Sequence, residues 1–93
     1  MLEDEIFKNS LRILILAYLY KGEHSFMEIH GMTGTYNTSM TKNLLEPMEE
    51  KGFIRSHKID KGKRQTTIYR LTDQGAETLE GYLDTIRDLM LGG

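Results

Sequence analysis

The sequence predicts an α+β domain, mostly α: three helices, a β-hairpin, then a fourth helix. Three observations carry this. Apolar residues at helical spacing, opened by capping residues, recur along the chain. A strand-like run rich in Thr, Ile and Tyr follows a Gly-centred turn before Leu71. Positive charge gathers in that same stretch. Residues 51–70 hold seven Lys/Arg (Lys51, Arg55, Lys58, Lys61, Lys63, Arg64, Arg70) against one acid, Asp60, although the chain carries a net charge of −2.

The first helix is expected from Leu2 to Tyr20, with residues 1–9 as an N-terminal extension. Glu3, Asp4 and Glu5 suit the positive end of its dipole. From Leu11 onward it is apolar on most sides, which places it centrally. Gly22 ends it. Ser25 and Glu28 match a capping box for a short second helix, with Ile29 and Met32 inward. Gly31 and Gly34 limit its length. Asn37 is an expected N-cap for the third helix, whose apolar stripe is Met40, Leu44, Leu45 and Met48. Lys51 and Gly52 close it. Pro47 predicts a kink, or a helix ending near Leu45 with a new turn at Pro47.

Phe53 to Ile59 and Gln65 to Leu71 read as strands around a turn at Asp60–Lys63, where Gly62 can take positive φ. Ile68 and Arg70 belong to one face, Tyr69 and Leu71 to the other. Thr72 caps the last helix, expected over 72–91. Its stripe is Ala76, Leu79, Leu83, Ile86 and Leu89 or Met90, with Glu77, Glu80, Asp84 and Asp88 opposite. A short helix, a tight turn, a second helix and a basic hairpin in this order make a winged helix.

Composition bounds the function. Residues 1–93 suffice for one domain with a small core, of the kind that gains stability from a partner subunit. There is no cysteine, hence no disulfide framework or thiolate metal site. The acidic start is a poor signal-peptide n-region, and the apolar run Ile13–Tyr20 is too short to span a bilayer. A cytoplasmic location is expected, with no membrane partner. His24, His30 and His57 fit no metal-ligand spacing. No nucleophile–base pair, phosphate loop or metal motif appears, so neither an enzyme nor a cofactor is expected. A basic hairpin suits phosphates through counterion release, or else is a solvated wing whose lysines guard its edges.

Two segments carry a family likeness. Leu44-Leu45-Glu46-Pro47-Met48-Glu49-Glu50-Lys51-Gly52-Phe53-Ile54 looks like the end of a recognition helix running into a wing. Tyr69-Arg70-Leu71-Thr72-Asp73-Gln74-Gly75 looks like a Tyr-x-Leu-Thr-x-x-Gly signature closing the wing. Over roughly residues 10 to 80 the chain resembles winged helix-turn-helix transcriptional regulators of the MarR and PadR type. Pro47 departs from that pattern. The chain is also shorter than family members with extra helices for dimerisation and effector binding.

The resemblance implies a homodimeric regulator of double-stranded DNA. Its recognition helix would offer Thr38, Ser39, Thr41, Lys42 and Asn43 to a major groove, with Tyr36 and Asn37 at the entry. Asn43 is the expected adenine reader. Lys58, Lys61, Lys63, Arg64 and Gln65 at the wing tip would hold the flanking backbone or an adjacent minor groove. Leu79, Tyr82, Leu83, Ile86, Leu89 and Met90, joined by Ile6 and Phe7, are the expected dimer surface. No convergent polar groups specify a small-molecule effector. The rival class is a winged-helix assembly module that docks on protein.

Overall fold

A computed structural model describes residues 5–92 and carries the expected order of elements. The N-terminal segment differs from expectation. Instead of one helix from Leu2 to Tyr20, Glu5–Lys8 forms a 3-10 turn and helix α1 spans Ser10–Leu19. Asn9 is the cause. Its backbone is extended and its side-chain oxygen accepts the Leu11 N–H at 2.9 Å, which makes it an N-cap. Glu3 and Asp4 lie outside the described residues. At the other end, Tyr20 is the C-cap, and Gly22 donates to the Leu19 carbonyl at 3.3 Å.

Helix α2, Phe26–Thr33, opens with the predicted reciprocal box: Glu28 N–H donates to Ser25 Oγ, and Ser25 N–H donates to the Glu28 carboxylate. That backbone hydrogen bond holds the Glu28 carboxyl below its ordinary range. Gly34, at φ 66°, ends the helix in the left-handed conformation. Asn37 then caps helix α3, Thr38–Glu50, by accepting from Met40 N–H at 2.9 Å. These two helices and the turn between them form the helix-turn-helix.

Pro47 does not end α3, which runs through it to Glu50. Proline lacks the N–H that would bond to the Asn43 carbonyl. Arg12 of α1 supplies the missing donor and bonds the next carbonyl as well. Its Nη2 donates to the Asn43 carbonyl at 3.2 Å and its Nε to the Leu44 carbonyl at 3.0 Å. Tertiary contact thus offsets a local defect and fastens α1 to the middle of α3. Arg12→Met is expected to cost about 2 kcal/mol, the scale of charge-assisted bonds to an otherwise orphaned carbonyl. In a Pro47→Ala background the restored N–H halves that cost. Equal costs in both backgrounds, measured by urea unfolding, would remove the coupling.

Strands β2 (Ile54–Lys61) and β3 (Arg64–Leu71) form the wing, in antiparallel register from Ile54 opposite Leu71 to Lys61 opposite Arg64. The turn is only Gly62 and Lys63, with Gly62 at φ 65°. Asp60, expected in the turn, sits in β2 opposite Gln65. A short strand that the sequence reading lacks, β1 (His24–Ser25), pairs with β3 and makes the sheet order β1-β3-β2. It ties the start of α2 to the base of the wing.

The core gathers Ile15, Leu16 and Leu19 of α1, Ile29 of α2, and Leu44, Leu45 and Met48 of α3 with Phe53, Ile54 and Tyr69. Helix α4, Asp73–Met90, closes it with Leu79. Its start is clamped by Thr72, whose hydroxyl accepts from Gly75 N–H at 3.0 Å and lies 2.6 Å from the Gly52 carbonyl. Further along, Glu80 accepts a hydrogen bond from the Tyr20 hydroxyl at the end of α1. This bond, with the nearby carboxylate charge, raises the Tyr20 pKa above its ordinary value. No helix among the described residues is long and apolar enough to cross a membrane.

Candidate nucleic-acid interface

A cleft of about 490 Å³ opens between the N-terminal half of α3 and the wing. Thr38, Ser39 and Lys42 of α3 form one wall; Arg64, Gln65, Thr66 and Thr67 of β3 form the other. Phe26, Met27 and Tyr69 complete the lining. The fold brings these walls together because β1 anchors α2 against β3, and α3 follows α2 through one short turn. Burial raises the Tyr69 pKa, and Glu49 and Glu46 add to the effect, so its hydroxyl stays neutral and can donate. Among the described residues, neither Lys42 nor Arg64 takes part in an ion pair. The cleft therefore presents two unspent cations among several hydroxyls, a set suited to phosphate oxygens.

Strand register sorts the wing cations. Lys58 pairs with Thr67, on the face shared by Tyr69 and buried Ile54. Lys61 pairs with Arg64 at the tip, on the opposite face. Lys63 occupies the turn. All are exposed. Five of the twelve residues expected at DNA line the cleft: Thr38, Ser39, Lys42, Arg64 and Gln65. Lys58 continues the cleft-side face along the wing, Lys63 stands at its tip and Lys61 lies on the far face. Tyr36 and Asn37 are exposed at the entry to α3, Tyr36 at 91%. Asn43 is also exposed.

Thr41 leaves the groove-facing set. It is 0% exposed, and its hydroxyl lies 2.7 Å from His30 Nδ1 and 2.5 Å from Thr35 Oγ1. Thr35 Oγ1 in turn lies 3.1 Å from the same ring nitrogen. The three groups satisfy one another where α2 crosses α3, so Thr41 holds α3 against α2 and is absent from the exposed face of that helix. Met40, expected inward, is 46% exposed in its place. Sequence reasoning also missed Phe26, Met27, Thr66 and Thr67. Their alternation and capping context were visible, but not that β1 would fold α2 against the wing.

The C-terminal half of α3 differs in charge. Glu46, Glu49 and Glu50 cluster there, and Ser56 Oγ donates to Glu49 at 2.7 Å. That end of α3 is acidic, whereas Lys42 and Arg64 make the cleft end basic. Among the described residues no group of three or more His, Asp or Glu could hold a metal.

The expected dimer stripe divides in two. Ile6, Phe7 and Leu79 are buried inside the protomer; Phe7 stacks on Tyr82 with ring centroids 4.6 Å apart. These three stabilise the protomer itself. Leu83, Leu89 and Met90 remain exposed, at 48%, 68% and 80%. Tyr82 and Ile86 lie between, half-buried.

A family model described as a winged helix DNA-binding domain matches residues 11–90. No curated protein sequence matches the chain. Among solved structures, Bacillus subtilis PadR in complex with operator DNA superimposes with a TM-score of 0.72 at 26% identity over 81% of this chain. The chain spans only 48% of that PadR. A transcriptional regulator homologue from Pyrococcus horikoshii gives a TM-score of 0.87 at 20% identity, covering 98% of this chain and 90% of its own. A homodimeric winged helix-turn-helix DNA-binding domain from Mycobacterium bovis gives 0.74 at 21% identity, covering 96% and 79%.

Proposed function

The chain belongs to the winged helix DNA-binding domain family, and from that premise we propose that it is a homodimeric, sequence-specific regulator of transcription. The observation that carries the reading is the cleft with Lys42 on one wall and Arg64 on the other. If α3 enters a major groove and the wing reaches the adjacent minor groove, one sugar-phosphate strand must pass between them. The cleft is where that strand runs. Ser39, Thr38, Thr66 and Thr67 donate to its phosphates beside the two cations, and Met27 packs on its sugars. Lys58, Lys61 and Lys63 follow the backbone along the wing. Asn43, exposed on α3, reads adenine. Tyr36 and Asn37 meet the strand at the entry to the helix.

Exposed Leu83, Leu89 and Met90, with half-buried Tyr82 and Ile86, support pairing of α4 with a second copy. The Mycobacterium bovis domain is homodimeric, and the PadR structure holds operator DNA. A two-fold pair presents two α3 helices to half-sites about one helical turn apart.

Salt titration tests the electrostatic part. With four phosphates neutralised per protomer, log K for a dimer falls with log salt at a slope of about −7. A slope near zero would contradict the cleft's role.

A further inference from the structure

We propose that Met40 reads the C5-methyl group of a thymine, so that Met40 and Asn43 together select an A·T-containing half-site. This rests on the DNA-binding reading above and deepens it. The helix phase of α3 places Thr41, Leu44, Leu45 and Met48 in the core, which turns Met40 outward on the flank away from Lys42. Met40 is 46% exposed, within the first turn of the helix. Its backbone N–H is already satisfied by Asn37, so only its apolar side chain is on offer. Asn43 follows three residues on along the same flank, Tyr36, 91% exposed, precedes the helix, and none of the three carries a charge.

The two flanks of α3 therefore differ in chemistry. The wing-facing flank holds Lys42 and the cleft, and suits phosphates. The far flank holds an amide and a thioether, and suits base edges. In a major groove the apolar group on a base edge is the thymine methyl, whereas adenine presents the donor–acceptor pair that an amide matches. Residues three apart on a helix lie about 5–6 Å from one another. That span covers one to two base-pair steps of about 3.4 Å. One helical flank can thus address neighbouring base pairs.

The test deletes the methyl and nothing else. An operator recovered by selection is rebuilt with deoxyuridine replacing each thymine in turn, and binding is measured for the wild-type chain, Met40→Ala and Met40→Leu. At one position per half-site, deoxyuridine is expected to weaken wild-type binding about fourfold, the worth of one buried methyl group. Met40→Ala should bind thymine DNA about fourfold more weakly and lose nothing further with deoxyuridine. Met40→Leu should keep its sensitivity to the methyl. Alanine at an exposed helical position favours the helix, so folding is preserved. Wild-type indifference to every deoxyuridine, an operator without thymine in its half-site, or a full deoxyuridine penalty in Met40→Ala would each overturn this assignment alone. Failure of the wild-type chain to bind any DNA would overturn the reading beneath it as well.

Discussion

Gly75→Ala is expected to destabilise the protein by about 3 kcal/mol or more, because the added methyl has no room. A Cβ there would stand 2.1 Å from the Phe53 carbonyl oxygen, 2.9 Å from its carbon and 2.8 Å from Leu71 Cδ1. Two of these three atoms are backbone, so side-chain rotation cannot relieve the clash. The first turn of α4 would have to lift from the junction of α3 and β2. That movement strains the bonds of Thr72 to Gly52 and Phe53. A domain of this size loses roughly 12–20 °C of melting temperature for such a change. Gly81→Ala is the control. It lies in the same helix, where an added Cβ meets nothing within 4 Å, and alanine should stabilise by about 0.5–1 kcal/mol. Thermal unfolding of the two variants should therefore move in opposite directions. A Gly75→Ala protein that melts with the wild type would show that α4 does not seat on Phe53 as described.

The second large effect falls on binding and not on folding. Combined Lys42→Glu and Arg64→Glu should weaken DNA binding roughly 100-fold or more at moderate salt, since both cations of the cleft become repulsive. In a dimer four contacts are lost, and the salt slope shrinks in magnitude by about 4. Both side chains are exposed and unpaired among the described residues, so the melting temperature should change little. Lys21→Glu, in the loop after α1 and away from the cleft, is a control reversal of half the charge and should leave binding nearly intact. Equal losses from both would mean that net charge alone governs association.

Much of the fold was legible because its signals are local. Ser25, Asn37 and Thr72 each accept from a backbone N–H three residues on, and a capping residue can be read without its tertiary surroundings. Asn9 carried the same signal, but the apolar run on either side masked it. The wing announced itself by charge and by Gly62. What escaped depends on distant partners. Pro47 was ambiguous because its remedy, Arg12, is 35 positions earlier in the chain. Met40 and Thr41 exchanged roles because both fit helical spacing, and polarity argued for Met40 inside. Thr41 is buried at little cost only because His30 and Thr35 meet its hydroxyl. The dimer stripe was read as one surface because periodicity cannot say where the protomer's own core ends. Leu79 lies within that core, and Leu89 and Met90 lie beyond it.

We propose that the α3–wing surface recognises a specific DNA sequence as a two-fold pair. The most direct test incubates the protein with a random double-stranded DNA pool at two salt concentrations and sequences what is retained. The expected result is a near-palindromic motif, with A·T pairs in each half-site about one helical turn apart, and retention that falls steeply with salt. Salt-dependent retention without a motif would contradict sequence recognition. No retention even at low salt would contradict DNA binding itself and turn the same surface toward a protein partner.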